Sequence, residues 1–75
     1  MKLTVDREAD ALHLALDDAA TVESDEVAPG VILDFNAQGV VVGIEVLSLS
    51  KRTSAEKLDR IELYCQSSQF VIPIG

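Results

Sequence analysis

Apolar and polar residues alternate along most of this chain, and a period of two predicts strands. In Lys2-Leu3-Thr4-Val5-Asp6 the apolar Leu3 and Val5 share a face. A polar connection, Arg7-Glu8-Ala9-Asp10, leads to residues 11–17. There Leu12, Leu14 and Leu16 point one way, and Ala11, His13, Ala15 and Asp17 the other. Residues 21–27 form a weaker strand, whose Glu23, Asp25 and Glu26 suit a sheet edge, where charge discourages unwanted pairing. Ala28-Pro29-Gly30 closes it. Residues 31–36 and 40–47 then form a hairpin. Asn36 and Gly39 supply its turn, because Asn tolerates unusual backbone angles and Gly takes positive φ without steric cost. Both hairpin strands carry apolar residues on both faces, so one face meets a core and the other is partly covered by a helix or a second subunit.

After Leu47 the pattern changes. Thr53-Ser54-Ala55-Glu56 has capping-box form, and Ala55, Leu58, Ile61 and Cys65 follow at helical spacing, which predicts a helix over about 54–63. A competing reading makes Ile61-Glu62-Leu63-Tyr64-Cys65 a strand, since it also alternates. Phe70-Val71-Ile72-Pro73-Ile74 is an extended apolar tail that Pro73 confines to an edge or an end. The expected fold is α+β in a single domain of residues 1–75. It comprises an antiparallel sheet of about five strands, one short C-terminal helix and a terminal extended segment.

Length and composition add a constraint. Seventy-five residues enclose a small core, and domains of this size usually add disulfides, a metal or a partner subunit. Cys65 is the sole cysteine and His13 the sole histidine, so neither an internal disulfide nor a Cys/His zinc site can form. With an apolar fraction of 48%, self-association is the remaining aid, and a homodimer or higher homo-oligomer is expected. The tail residues Phe70, Val71, Ile72 and Ile74 are the candidate interface.

The net charge is −7, divided as −8 in residues 1–50 and +1 in residues 51–75. An acidic body repels phosphate backbones, so nucleic acid is not an expected partner. A basic protein is a possible one. No apolar run approaches the ~20 residues that span a bilayer, and Asp6 and Glu8 stand where a signal peptide would be apolar. A cytoplasmic location is expected.

Candidate chemistry is sparse. His13 could meet Asp34 or Glu45, and a His–carboxylate pair can serve as a base or a metal ligand. No nucleophile or oxyanion donor is specified beside it, so a structural histidine is favoured. Glu23, Asp25 and Glu26 lack the spacing of a calcium loop and read as a solvated acidic strand. Cys65 has no cationic neighbour in sequence and reads as a buried, inert thiol. Lys51, Arg52, Lys57 and Arg60 form the one basic patch, read as offsetting the acidic sheet. The glycines lack phosphate-binding spacing and the serines lack a nucleophile motif, so no cofactor is expected.

Two stretches are familiar together. Asp6-Arg7-Glu8-Ala9-Asp10-Ala11-Leu12-His13-Leu14-Ala15-Leu16 resembles the opening of a family of small bacterial proteins, the domain-of-unknown-function family DUF2283. Residues 26–36, with Gly39 and Val42-Gly43-Ile44-Glu45-Val46-Leu47, resemble its middle. The resemblance covers roughly residues 1–50. Two positions depart from it: Val5 stands where an aromatic is common, and Ser48-Leu49-Ser50 where Asp-Ala-Ser is common. It implies a small cytoplasmic protein with no catalytic residues to carry over and, by association with toxin-like neighbours, an antitoxin-like role. From the residues themselves, the leading expectation is a non-enzymatic, self-associating interaction module. An acidic, antitoxin-like partner of a basic protein comes second. A minor hydrolase or metal-dependent enzyme using His13 with Asp34 or Glu45 comes third.

Overall fold

A computed structural model describes residues 1–66 and 68–73. Seven strands run in chain order: β1 (Lys2–Asp6), β2 (Ala11–Ala15), β3 (Glu23–Ala28), β4 (Val31–Phe35), β5 (Val41–Leu47), β6 (Arg60–Cys65) and β7 (Ser68–Pro73). The first five form one antiparallel sheet in the order β1-β2-β5-β4-β3, and β6 and β7 pair as a separate hairpin. The five-stranded sheet therefore matches the expectation, and β4 and β5 are the predicted hairpin.

The helix is a correction. Within 54–63 the described residues hold only a single 3-10 turn, Lys57–Asp59, after which the chain straightens into β6. The turn opens where a cap was expected but one residue later: the Ser54 carbonyl accepts from the amides of Lys57 and Leu58. Beyond it, Ile61 and Leu63 alternate with Glu62 and Tyr64, and the backbone register Ile61↔Ile72 and Leu63↔Phe70 pairs the extended chain with β7. Local capping chemistry lost to non-local pairing, so the fold is mostly β. The apolar tail lies on β7 as far as Pro73. Ile74 is outside the described residues, and only the backbone of Phe70 and Ile72 is described.

Register sorts the large sheet into two faces. Leu3, Leu14, Ile44 and Leu33 form one cross-strand row, and Val5, Leu12, Val46 and Val31 the next. The opposite face carries Thr4, His13, Glu45, Ile32 and Glu26 in one row, and Lys2, Ala15, Gly43, Asp34 and Ser24 in another. Irregularities at Glu26/Ala28 and at Asp34/Phe35 interrupt the register near the β3 edge.

The apolar face is only partly covered. Leu58 and Ile61 share a small cleft with Val5 and Leu12, so residues 57–61 lie over one end of it. Elsewhere Leu12, Leu14, Leu33, Ile44 and Val46 are half-buried, with no described element packed across their centre. Among the described residues the buried hydrophobics are Ala11 and Val42 alone, no large side chain is fully buried, and Leu3 is 41% exposed.

Several side chains fix the connections. Arg52 donates to the carbonyls of Leu47 and Pro29, holding the β3–β4 turn against the end of β5. Its guanidinium occupies the space that a Cβ on Gly30 would need, and Gly30 has φ +73°. Asp10, at φ 55°, accepts from the Ser50 amide at 2.9 Å and the Ser50 hydroxyl at 2.6 Å, and its carbonyl accepts from the Leu49 amide. Cys65 is exposed, contrary to the expectation of a buried thiol, because it ends a hairpin strand whose residues, Ile61 excepted, are exposed. No helix among the described residues is long and apolar enough to cross a membrane.

Candidate functional site

The polar face is where the sequence placed its candidate chemistry, and His13, Asp34 and Glu45 do converge there. His13 Nε2 lies 3.2 Å from Asp34 Oδ2. Glu45 is the direct cross-strand partner of His13, from the intervening β5. An ionised carboxylate only accepts, so the contact assigns the hydrogen to Nε2 of the ring. Asp34 is the better-shielded partner, with its side chain 16% exposed against 44% for His13.

Two contributors were not anticipated. Ser24, on β3, donates its hydroxyl to Asp34 Oδ1 at 2.7 Å. Gly43, on β5, lies between β2 and β4 and lets the pair close across an entire strand. A Cβ there would sit 2.8 Å from Asp34 Oδ2 and 3.1 Å from His13 Nε2. A glycine inside a strand is a known sign of close approach, and that signal was available in the run Val42-Gly43-Ile44. Ser24 had no comparable signal, because its role depends on β3–β4 register.

The order Ser24–Asp34–His13 decides what this row can do. The carboxylate stands between hydroxyl and imidazole, and Ser24 donates to Asp34 rather than to a base. A nucleophilic relay requires the imidazole to take the hydroxyl proton. The geometry is that of a strap: one carboxylate ties β2 and β3 together over β4 and β5. Among the described residues no group of three or more His, Cys, Asp or Glu side chains could hold a metal ion.

A second concavity, at the β1–β2 connection, is a cleft of about 310 Å³ lined by Val5, Asp6, Arg7, Asp10, Leu49, Ser50 and Leu58. Its polar groups bond within the chain: Asp6 with the Ala9 amide, Arg7 with Asp59 at 2.8 Å, and Asp10 with Ser50. The acidic residues Glu23, Asp25 and Glu26 lie exposed on β3, with Glu26 Oε2 accepting from the Gly30 amide. On β6, Tyr64 donates to Glu62 Oε2 at 2.6 Å. That hydrogen bond, with the Glu62 charge, raises the phenol pKa above its ordinary value, while Arg60 opposes the shift.

Fold and site together define a small, mostly antiparallel β protein with a strapped polar face and a partly covered apolar one. The chain belongs to the DUF2283 family, described as a protein of unknown function, whose model matches residues 2–50. That segment contains the whole five-stranded sheet and the His13–Asp34 pair. No curated protein and no solved structure matches the chain.

Proposed function

We propose that this chain is a non-enzymatic, self-associating module whose five-stranded sheet packs its apolar face against a second copy. The half-buried apolar face carries this reading. A folded monomer of 8.1 kDa exposes about 4,500 Å² by the usual size scaling, whereas this chain exposes 5579 Å². The excess, about 1,100 Å², belongs to the whole chain, the β6–β7 hairpin included, and is on the scale of the ~800 Å² that each partner buries in a standard interface. The radius of gyration points the same way, at 13.6 Å against about 11 Å for a compact chain of this length. Two sheets stacked about 10 Å apart would give Leu14, Ile44 and Leu33 the interior that a single layer lacks. The hairpin tail, with Leu63 and Val71 exposed on it, adds apolar area to the same assembly.

Sedimentation equilibrium tests the reading. A dimer or higher assembly is expected at micromolar concentration, and Ile44→Asp, at the centre of the face, should shift it toward monomer. A wild-type monomer that stays folded at 100 micromolar would overturn it.

A further inference from the structure

The two edges of the five-stranded sheet are chemically unequal. On β3, Glu23, Asp25 and Glu26 crowd the outer strand, and an antiparallel register centred on Ser24 or Asp25 would set carboxylate against carboxylate. β1 has no such guard. Its charges, Lys2 and Asp6, stand at the two ends, with Leu3-Thr4-Val5 between them. Among the described residues β1 pairs only with β2.

The hydrogen-bond parity shows which groups β1 leaves free. The Leu16 amide donates to the Val42 carbonyl at 2.8 Å, in phase with the β2–β5 register, so even-numbered residues of β2 bond toward β5. By alternation Ala11, His13 and Ala15 bond toward β1, and their partners there are Asp6, Thr4 and Lys2. The amides and carbonyls of Leu3 and Val5 therefore point out of the sheet.

We infer that β1 pairs antiparallel with β1 of a second copy about a two-fold axis at Thr4, joining two sheets into one of ten strands. In that register Leu3 and the partner's Val5 exchange backbone hydrogen bonds, and their reciprocal pair does the same. Thr4 faces the partner's Thr4. Lys2 faces the partner's Asp6 twice over, in non-hydrogen-bonded positions where side chains approach most closely. The row through Leu33, Ile44, Leu14 and Leu3 runs on into the partner's row through its Val5, so both faces stay in phase. Centring on Leu3 or on Val5 would lose the Lys2–Asp6 match and leave part of the strand unpaired. Because β3 repels its own kind, growth stops at the pair, as an isologous interface requires. This contact is separate from the stacking of apolar faces proposed above, and either can exist without the other.

Cysteine cross-linking in a Cys65→Ser background tests it. Thr4→Cys places two thiols on the axis, with Cα atoms about 4.5 Å apart, within disulfide range. Lys2→Cys places them about 14 Å apart, out of range. Mild oxidation should cross-link the Thr4→Cys chain on the order of tenfold faster than the Lys2→Cys chain. Equal or absent cross-linking would overturn the edge pairing. If the unmodified protein still sediments as a dimer, the face-to-face reading survives that result. Val5→Pro supplies a second measurement, since it removes an outward amide and no β1–β2 hydrogen bond. It should lower the assembly by one step while the circular dichroism stays that of a sheet, and an unchanged assembly would count against the pairing.

Discussion

Gly43→Ala is a stringent probe of how the polar face is held. The added methyl would stand 2.8 Å from Asp34 Oδ2, 3.1 Å from His13 Nε2 and 3.3 Å from Asp34 Cβ, so the His13–Asp34 contact must open. Overpacking of this kind costs about 1–3 kcal/mol. The lost contact adds about 1 kcal/mol, below the range for a charged hydrogen bond because His13 is 44% exposed. Reduced freedom of the unfolded chain returns about 0.4–1 kcal/mol. The expected net loss is about 1–3.5 kcal/mol, or a fall in Tm of roughly 4–28 °C for a domain of this size. Thermal and urea denaturation at one fixed protomer concentration would measure it, since association also shifts apparent stability. The mechanism predicts coupling. In a His13→Ala background the same substitution should cost about 1 kcal/mol less, because one of the two crowded groups has gone. An equal cost in both backgrounds, or a stabilised Gly43→Ala protein, would refute the strap.

Other perturbations separate backbone from side-chain effects. Gly39 has φ +76° with open space where a Cβ would go, so Gly39→Ala should lose about 1 kcal/mol by chemical denaturation from backbone strain alone, and Gly39→Asn less. At Asp10, which combines φ 55° with two bonds to Ser50, Asp10→Gly relieves the strain but drops the bonds, and Asp10→Ala loses on both counts. The alanine variant should therefore melt below the glycine variant. Tyr64 is the only tyrosine, and the chain has no tryptophan, so ultraviolet titration reads its phenol directly. The midpoint should lie above the ordinary value of about 10 and fall back in Glu62→Gln. Because the folded pKa is the raised one, this bond supports the fold below pH about 10, and the support is lost as pH climbs through the folded midpoint.

Period-two alternation was enough to place β1, β2, β4 and β5, because each has an apolar face that one register alone can bury. It gave the parity on which His13 could meet Asp34 or Glu45, but only the placement of β2 beside β5 brings them together. What failed was local reasoning after Leu47. The helical spacing of Ala55, Leu58 and Ile61 coexists with the alternation of Ile61, Leu63 and Cys65, and only pairing with β7 decides between them. Cys65 was misplaced for the same reason: its exposure follows from a hairpin that the spacing concealed. The use of Gly43 was visible in principle as a glycine within a strand. Ser24 was not, since no sequence rule reports which hydroxyl will face which carboxylate across two strands.

Arg52 lies two residues past the end of the family match, yet its guanidinium holds carbonyls that belong inside it. The matched segment 2–50 therefore lacks a side chain that holds one of its own corners. A fragment cut at Ser50 would keep all five strands of the large sheet but leave the Pro29 and Leu47 carbonyls to water, and the β3–β4 corner would fray first. A shortened form of this chain keeps that corner tied only if the cut falls beyond Arg52.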